Sequence, residues 1–182
     1  VQTSPGRLKS VGGDDRAKQQ AHSQLSKSCV AINGTVSSPV ATFTLRLAYG
    51  TVRGYEENGK QMPAFTDLAG LYQRSAEHEN KGAFELPQRW VDKKDQLSLG
   101  THFDFVCDAD IIGGNSGSPV VNRDGEFVGI IFDGNIQSLV LDYVYDDKQA
   151  RAVSVDSSAI SEALRKVYGV NALADEIEGK AK

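Results

Sequence analysis

The sequence predicts a mainly β fold, a small β-barrel with a C-terminal helix packed against it. The chain contains 18 glycines, and β-branched and aromatic residues are spread through its middle, a composition that favours strands. Apolar and polar residues alternate from Thr42 to Ala48, which is the period-two pattern of a half-buried strand. The nearly all-apolar run from Phe127 to Phe132 is typical of a strand that is covered on both faces.

Length and composition limit the class of protein. The 182 residues are 40% apolar and 24% charged, which is enough for one globular domain with a core. We assign this domain to residues 29–182, with residues 1–28 as a lead-in or linker. The net charge of −4 argues against a nucleic-acid partner. No apolar run approaches the length of a membrane span and no signal peptide opens the chain, so we expect a removed signal or a piece of a longer protein.

The two cysteines, Cys29 and Cys107, leave two interpretations open. They form one disulfide in an oxidising compartment, or they are two buried thiols that pack as small apolar groups. Two cysteines provide no spacing pattern that decides between these alternatives.

Before residue 100, the sequence predicts two strands and one helix. The strand from Thr42 to Ala48 is followed by a second short strand around Thr51–Tyr55. Residues 56–63 are predicted to be a turn-rich loop. Apolar residues on one side predict a helix from Thr66 to His78, and the charged residues 79–100 are predicted to form a loop.

After residue 100, strands dominate until a closing pair of helices. We predict a strand at Phe103–Cys107, a glycine-rich loop at 111–119 and a β-hairpin that turns at Arg123–Gly125. A further strand is predicted at Ala150–Val155. It is followed by a helix that Asp156 or Ser157 caps and Gly169 ends, and by a short helix at Ala172–Ile177. Strands, a loop-borne motif, a hairpin and a C-terminal helix in this order fit a small barrel.

The loop motif GGNSGSP, with Ser116 at its centre, is the strongest indication of chemistry. A serine hydroxyl is a poor nucleophile unless a base removes its proton and the developing oxyanion is stabilised. Gly113, Gly114 and Gly117 let the backbone turn sharply, so the N–H groups of Gly114 and Ser116 are expected to form an oxyanion hole. The alternative is a glycine–serine turn without chemistry.

The spacing around Ser116 resembles that of trypsin-like serine peptidases. About a dozen residues downstream, the apolar strand that ends at Phe132 leads into Asp133 and Gly134. In the trypsin-like arrangement, such a strand forms one wall of the pocket for the side chain before the scissile bond. Asp110, six residues before Ser116, lies at the distance of the pocket floor.

Four separated segments resemble the C-terminal part of the S46 family of bacterial dipeptidyl peptidases. They are FTLRLAYGTVRGY (43–55), DIIGGNSGSPVVN (110–122), FDGNIQSL (132–139) and RAVSVDSSAI (151–160). The resemblance implies a chymotrypsin-like double β-barrel with an inserted helical domain, of which this chain carries the C-terminal six-stranded-type barrel. Residues 1–28 are then a candidate tail of the helical insertion.

The resemblance also implies an activity and roles for residues. S46 enzymes remove dipeptides from free peptide N-termini, work as dimers in the periplasm or at the cell surface, and use no metal or cofactor. Ser116 is then the nucleophile, with Gly114 in the oxyanion hole, and Asp133 helps hold the substrate α-ammonium group; the alternative for Asp133 is a turn residue before Gly134. Gly134 matches the position that tunes specificity, and glycine there implies apolar or varied side chains, since it leaves the wall open and uncharged.

Asp110 and Phe132 complete the set of candidate substrate-binding residues. An aspartate at position 110 also allows a trypsin-like preference for Lys or Arg, but the resemblance implies that the family carries it without that preference.

A complete triad requires a histidine and an aspartate beside the serine. The chain has three histidines, His22, His78 and His102, and none lies in the alanine–histidine–cysteine-like setting of the base, so each is expected on the surface. The resemblance implies that the base and its aspartate come from an N-terminal barrel that this sequence lacks. Alone, the chain is then expected to be inactive and to expose an apolar barrel–barrel face.

Two alternatives stay open from the sequence. One is a self-contained trypsin-like hydrolase that uses one of its own histidines. The other is a non-catalytic binding or assembly module on the same fold.

Overall fold

The computed structural model describes residues 20–21, 23–25, 27–28, 31–32 and 47–180. The described residues between 20 and 32 are helical and exposed. Cys29, His22 and most of the predicted strand at Thr42–Ala48 lie outside the described residues. At the end of that predicted strand, the described Leu47 and Ala48 lie in no strand, and the Leu47 side chain is 84% exposed.

Between residues 47 and 180, the chain contains seven strands and four α-helices. The strands are β1 (Tyr55–Glu57), β2 (Lys60–Met62), β3 (Phe65–Asp67), β4 (His102–Cys107), β5 (Pro119–Val121), β6 (Phe127–Gly134) and β7 (Ala152–Asp156). The α-helices are α1 (Leu68–Glu77), α2 (Gln88–Lys93), α3 (Ser157–Glu162) and α4 (Asn171–Ile177), with 3-10 turns at Gly82–Phe84, Lys94–Gln96 and Ile136–Asp142.

Five strands form one antiparallel sheet in the order β3-β4-β7-β6-β5. An isolated β-bridge between Val52 and Cys107 continues the pairing along β4 on the side where β3 lies. The predicted mainly β class is therefore confirmed. Among the residues that the structure describes, the sheet is open and does not close into a barrel.

Two hairpins join neighbouring strands. The predicted hairpin of β5 and β6 is confirmed, with Val120 opposite Gly129. The predicted loop at 56–63 is wrong, because β1 and β2 form a second hairpin there. Its turn residues, Asn58 and Gly59, have φ angles of 52° and 77°, and an Asn-Gly pair is well suited to that left-handed conformation.

The helices follow the sequence pattern in most places. Helix α1 begins two residues later than predicted because Asp67 is its N-cap and accepts the Gly70 N–H at 2.8 Å. Asp156 caps α3, which continues as one π-helical turn to Val167, and Gly169 has a φ of 70°. The predicted loop at 79–100 is wrong because it contains α2 and two 3-10 turns, whose charged residues face solvent while Leu97 is buried.

The core divides into two clusters. One lies between α1 and the end of the π-helical turn, with Leu68, Tyr72, Leu97 and Val167 buried. The other lies under the sheet, with Cys107, Ala109, Ile131 and Ala152 buried. Cys107 is a free thiol, and burial raises its pKa, so its place in this cluster fits the interpretation of a thiol that packs as an apolar group.

Strand β6 is covered on both faces in its middle but not at its ends. Phe127 and Phe132 are 41% and 47% exposed, whereas Ile131 is buried. The prediction is therefore wrong only at the two ends of this apolar run, because the residues from Val128 to Ile131 are buried or half-buried on both faces. This exposure leaves the end of β6 accessible beside the GGNSGSP loop.

Candidate active site

The loop around Ser116 connects β4 to β5 and is built on two left-handed glycines. Gly114 and Gly117 have φ angles of 104° and 86°, a conformation that side chains with a Cβ rarely adopt. Asn115 closes the loop, since its side-chain oxygen accepts the Ile112 N–H at 3.0 Å and its own N–H donates to the Ile112 carbonyl at 3.2 Å.

Two backbone hydrogen bonds fasten this loop onto β6. The Gly117 N–H donates to the Ile131 carbonyl at 2.7 Å, and the Ile131 N–H donates to the Ser118 carbonyl at 3.1 Å. Because Ile131 belongs to the core cluster under the sheet, the loop is held by a buried residue. Ser116 is thereby fixed directly above the end of β6.

The Ser116 hydroxyl is exposed and donates to the Phe132 carbonyl at 3.1 Å. The register between β6 and β7 skips Phe132, since Ile131 pairs with Ser154 and Asp133 pairs with Val153. Such bulges often redirect groups next to active sites. Here the bulge lies at the residue whose carbonyl holds the candidate nucleophile.

The N–H groups of the predicted oxyanion donors are not used by the loop itself. Within the described part of the chain, the N–H groups of Asn115 and Gly117 are hydrogen-bonded, whereas those of Gly114 and Ser116 donate to no other group. Two unengaged N–H groups on alternate residues of a glycine loop are the elements of an oxyanion hole. The role of Gly114 and Ser116 stays a prediction.

His102 is too far from Ser116 to act as its base. Phe105, Ser154 and Ile131 lie side by side on β4, β7 and β6, so β4 is two strands from β6, or about 10 Å at the usual strand spacing. His102 lies three residues further along β4, which adds roughly 10 Å in a perpendicular direction. A nucleophile and its base must be within about 3 Å.

Both described histidines, His78 and His102, make ring contacts away from Ser116. His102 stacks on Phe65 with ring centroids 4.2 Å apart. His78 follows α1 and stacks on Phe84 at 3.7 Å, and α1 begins after β3, which is three strands away from β6. His22 lies outside the described residues.

Three of the predicted substrate-binding residues are consecutive at the end of β6, which the structure places beside Ser116. Phe132 accepts the Ser116 hydroxyl, Asp133 is exposed, and Gly134 lies opposite Ala152 on β7. The Asp133 carboxylate accepts the N–H of Gly134 at 2.8 Å. Asp110 is half-buried on the segment that leads into the loop.

The space beside Gly134 is filled, contrary to the expectation of an open wall. A Cβ on Gly134 would lie 2.1 Å from the Ser138 Oγ and 2.9 Å from the Ser138 Cβ. Ser138 belongs to the 3-10 turn Ile136–Asp142. The space next to Gly134 is therefore occupied by an uncharged side chain, that of Ser138.

Sequence reasoning missed Arg151, which is 2% exposed. Its backbone makes two hydrogen bonds to Asn135, the residue that follows β6. The Arg151 carbonyl accepts the Asn135 N–H at 3.0 Å, and the Arg151 N–H donates to the Asn135 side-chain oxygen at 2.8 Å. The Asn135 amide also donates to the Gln149 carbonyl at 2.7 Å. A single arginine before an apolar strand resembles any surface charge, so the sequence provides no pattern that would have revealed it.

One carboxylate with a raised pKa lies away from Ser116. Burial, and then the Asp156 carboxylate, raise the pKa of Asp104 to about 6. Asp104 is on β4 opposite Val155, at the His102 end of the strand. Among the residues that the structure describes, no group of three His, Cys, Asp or Glu side chains is arranged to hold a metal ion.

Comparison with known proteins identifies the family. The model of the peptidase S46 family matches residues 7–179. The chain belongs to the peptidase S46 family. The family predicted from the four sequence segments is therefore confirmed.

The curated relatives are dipeptidyl peptidases of bacteria. The chain is 32% identical over 158 residues to dipeptidyl-peptidase 7 of Phocaeicola vulgatus, covering 82% of this chain and 22% of that protein. It is 30% identical over 169 residues to the Asp/Glu-specific dipeptidyl-peptidase of Shewanella putrefaciens, covering 77% and 23%. The chain thus spans less than a quarter of the length of these relatives.

Solved structures agree with this family. The crystal structure of Porphyromonas endodontalis DPP11 matches with a TM-score of 0.71 at 25% identity, over 84% of this chain and 23% of that chain. The same protein in complex with the dipeptide Arg-Asp matches with a TM-score of 0.70 at 24% identity. No helix in the described ranges of our chain has the length and apolar character to cross a membrane.

Proposed function

We propose that this chain is the nucleophile-bearing part of a serine-type dipeptidyl aminopeptidase, with Ser116 as the nucleophile and with N–H donors from Gly114 and Ser116. The observation that carries the proposal is the exposed Ser116 hydroxyl on a left-handed glycine loop. The N–H groups of Ser116 and of Gly114, two residues earlier, donate to no other group in the described part of this peptidase S46 chain. No metal or cofactor is needed for this chemistry.

The base that activates Ser116 is proposed to come from an N-terminal barrel outside this sequence. The distance of His102 from Ser116 supports this, as does the short share of the relatives that the chain spans. The open sheet would then be part of the C-terminal barrel of a chymotrypsin-like pair. Exposed apolar side chains next to β6 support a missing partner, since such surface usually marks a contact: Ile136 is 73%, Leu139 62% and Tyr143 92% exposed.

Substrate recognition is assigned to the end of β6. The exposed Asp133 carboxylate offers a charge-assisted partner for the α-ammonium group of a peptide, and Phe132 and Asp110 line the approach to Ser116. The uncharged wall at Gly134 favours apolar or varied side chains at the second residue of the peptide. The complete enzyme is proposed to be a homodimer of the periplasm or cell surface, as the resemblance to the family implies.

Complementation tests the proposal directly. The 182-residue chain is assayed with dipeptidyl reporter substrates and a fluorophosphonate probe, alone and with the N-terminal barrel of the Phocaeicola vulgatus relative. We expect activity only in the mixture, lost in Ser116→Ala and kept in Ser118→Ala, which alters an exposed serine of the same loop.

The other outcomes separate the alternatives. Turnover by the chain alone that Ser116→Ala abolishes would indicate a self-contained hydrolase and refute the need for a second barrel. Activity that survives Ser116→Ala would refute the assignment of the nucleophile. If the two parts co-elute as a complex without hydrolysis or labelling, the chain is a non-catalytic module.

A further inference from the structure

The side chain of Ser138 occupies the place that a larger residue at position 134 would take. The Cβ of such a residue would meet the Ser138 Oγ at 2.1 Å and the Arg151 carbonyl at 3.4 Å. Cβ atoms do not approach other atoms to within 3.0 Å in folded proteins. A larger residue at position 134 would therefore require Ser138 to move.

Ser138 is held firmly in this place. Its N–H and its hydroxyl both donate to the Asn135 carbonyl, at 2.8 and 2.7 Å. Asn135 is in turn fixed by hydrogen bonds with Arg151 and Gln149. Ser138 is thus linked through Asn135 to the buried Arg151, and rotation of its side chain would break the hydrogen bond of its hydroxyl.

The hydroxyl of Ser138 has a defined polarity. Because its proton is donated to the Asn135 carbonyl, its oxygen has only lone pairs left to offer to another group. A carboxylate beside this part-buried oxygen would face an acceptor without a donor, which is unfavourable. A neutral or apolar group meets no such penalty.

We propose that Ser138 is a specificity-determining residue, which disfavours acidic side chains at the second residue of the peptide and shares one space with position 134. The proposal rests on the proposed function. Gly134 lies two residues beyond Phe132, whose carbonyl holds Ser116, or about 7 Å along an extended strand. A dipeptide attached at Ser116 has a side chain that can reach this wall.

Unfolding of the 182-residue chain tests the shared space without any activity. Gly134→Ala should lower the Tm by about 5 °C through overpacking, and the added Ser138→Gly should restore most of this loss. Gly100→Ala is the matched control, since a Cβ there meets open space. Equal Tm losses for Gly134→Ala with and without Ser138→Gly would overturn the coupling.

Selectivity is measured in the complemented enzyme as the ratio of kcat/KM for reporters with Asp and with Leu at the second residue. Ser138→Ala removes the acceptor but keeps the packing, so this ratio should rise roughly tenfold, the equivalent of one hydrogen-bonding group. Ser138→Thr keeps the hydroxyl and should leave the ratio low.

An unchanged ratio in Ser138→Ala would overturn the role of Ser138 while the proposed function stands. The absence of dipeptide release from every form of the protein would overturn both. In that case, the unfolding experiment still shows whether positions 134 and 138 compete for the same space.

Discussion

Arg151 holds together the segments that support the end of β6. Its guanidinium donates to five backbone carbonyls at 2.6–3.4 Å, and its side chain is 2% exposed. The acceptors are Arg53, Gly54, Asp147, Lys148 and Ala150. One side chain therefore joins residues 53–54, which follow the Val52 bridge to β4, to residues 147–150 in the loop before β7.

Replacing Arg151 with methionine keeps the apolar stem and removes all five hydrogen bonds. Hydrogen bonds to a charged group contribute about 1.5–3 kcal/mol each. Burial of the guanidinium costs several kcal/mol, so we expect a net loss of about 3–4 kcal/mol of unfolding free energy. For a domain of this size, that corresponds to a fall in Tm of about 10 °C.

Urea and thermal unfolding, followed by circular dichroism, measure this loss. Arg123→Met is the matched control, because Arg123 is exposed in the β5–β6 turn, and surface changes usually remain within about 0.5 kcal/mol. An Arg151→Met variant as stable as Arg123→Met would refute the argument that carbonyl ligation by Arg151 supports the site.

Three further substitutions test local features. Asp104→Asn should stabilise the protein by about 1 kcal/mol at pH 8 but not at pH 4. The pKa of Asp104 is raised to about 6 beside Asp156, so its ionised form destabilises the fold, by a moderate amount because Asp104 is only half-buried. Equal urea midpoints of the variant and the unchanged protein at both pH values would contradict this. Ser154→Ala should raise stability by about 1 kcal/mol, since the buried Ser154 hydroxyl has no hydrogen-bond partner among the described residues; a clear loss in urea unfolding would argue for an unseen partner. Asp67→Ala should cost about 1 kcal/mol through loss of the helix cap on Gly70, and Asp67→Asn should cost less in the same assay.

Local patterns predicted the elements whose signals are contained in short segments. The alternation and turn residues around Gly125 predicted the hairpin of β5 and β6, and the capping residue Asp156 predicted the start of α3. The Asn58–Gly59 pair is also a local signal for a hairpin turn, so the hairpin of β1 and β2 was predictable although we expected a loop there. The exposure of Phe132 could not be predicted, because it depends on which strands flank β6 and where the register skips a residue.

The candidate site divides in the same way. The glycine pattern around Ser116 was enough to predict a loop with the elements of a nucleophile and an oxyanion hole, since φ angles such as that of Gly117 are a property of the local backbone. The filled space beside Gly134 could not be predicted, because Ser138 reaches it only through a 3-10 turn held by Asn135 and Arg151.

By itself, the sequence determined the family, the loop that carries Ser116 and the helix caps, because these depend on residue types at short spacing. The tertiary structure alone decided that the Ser116 hydroxyl meets the Phe132 carbonyl, that His102 is too distant to act as a base, and that Arg151 is buried. Each of these depends on contacts between residues far apart in the chain, and strand order and register, which place such residues side by side, are set by the packing of the whole sheet.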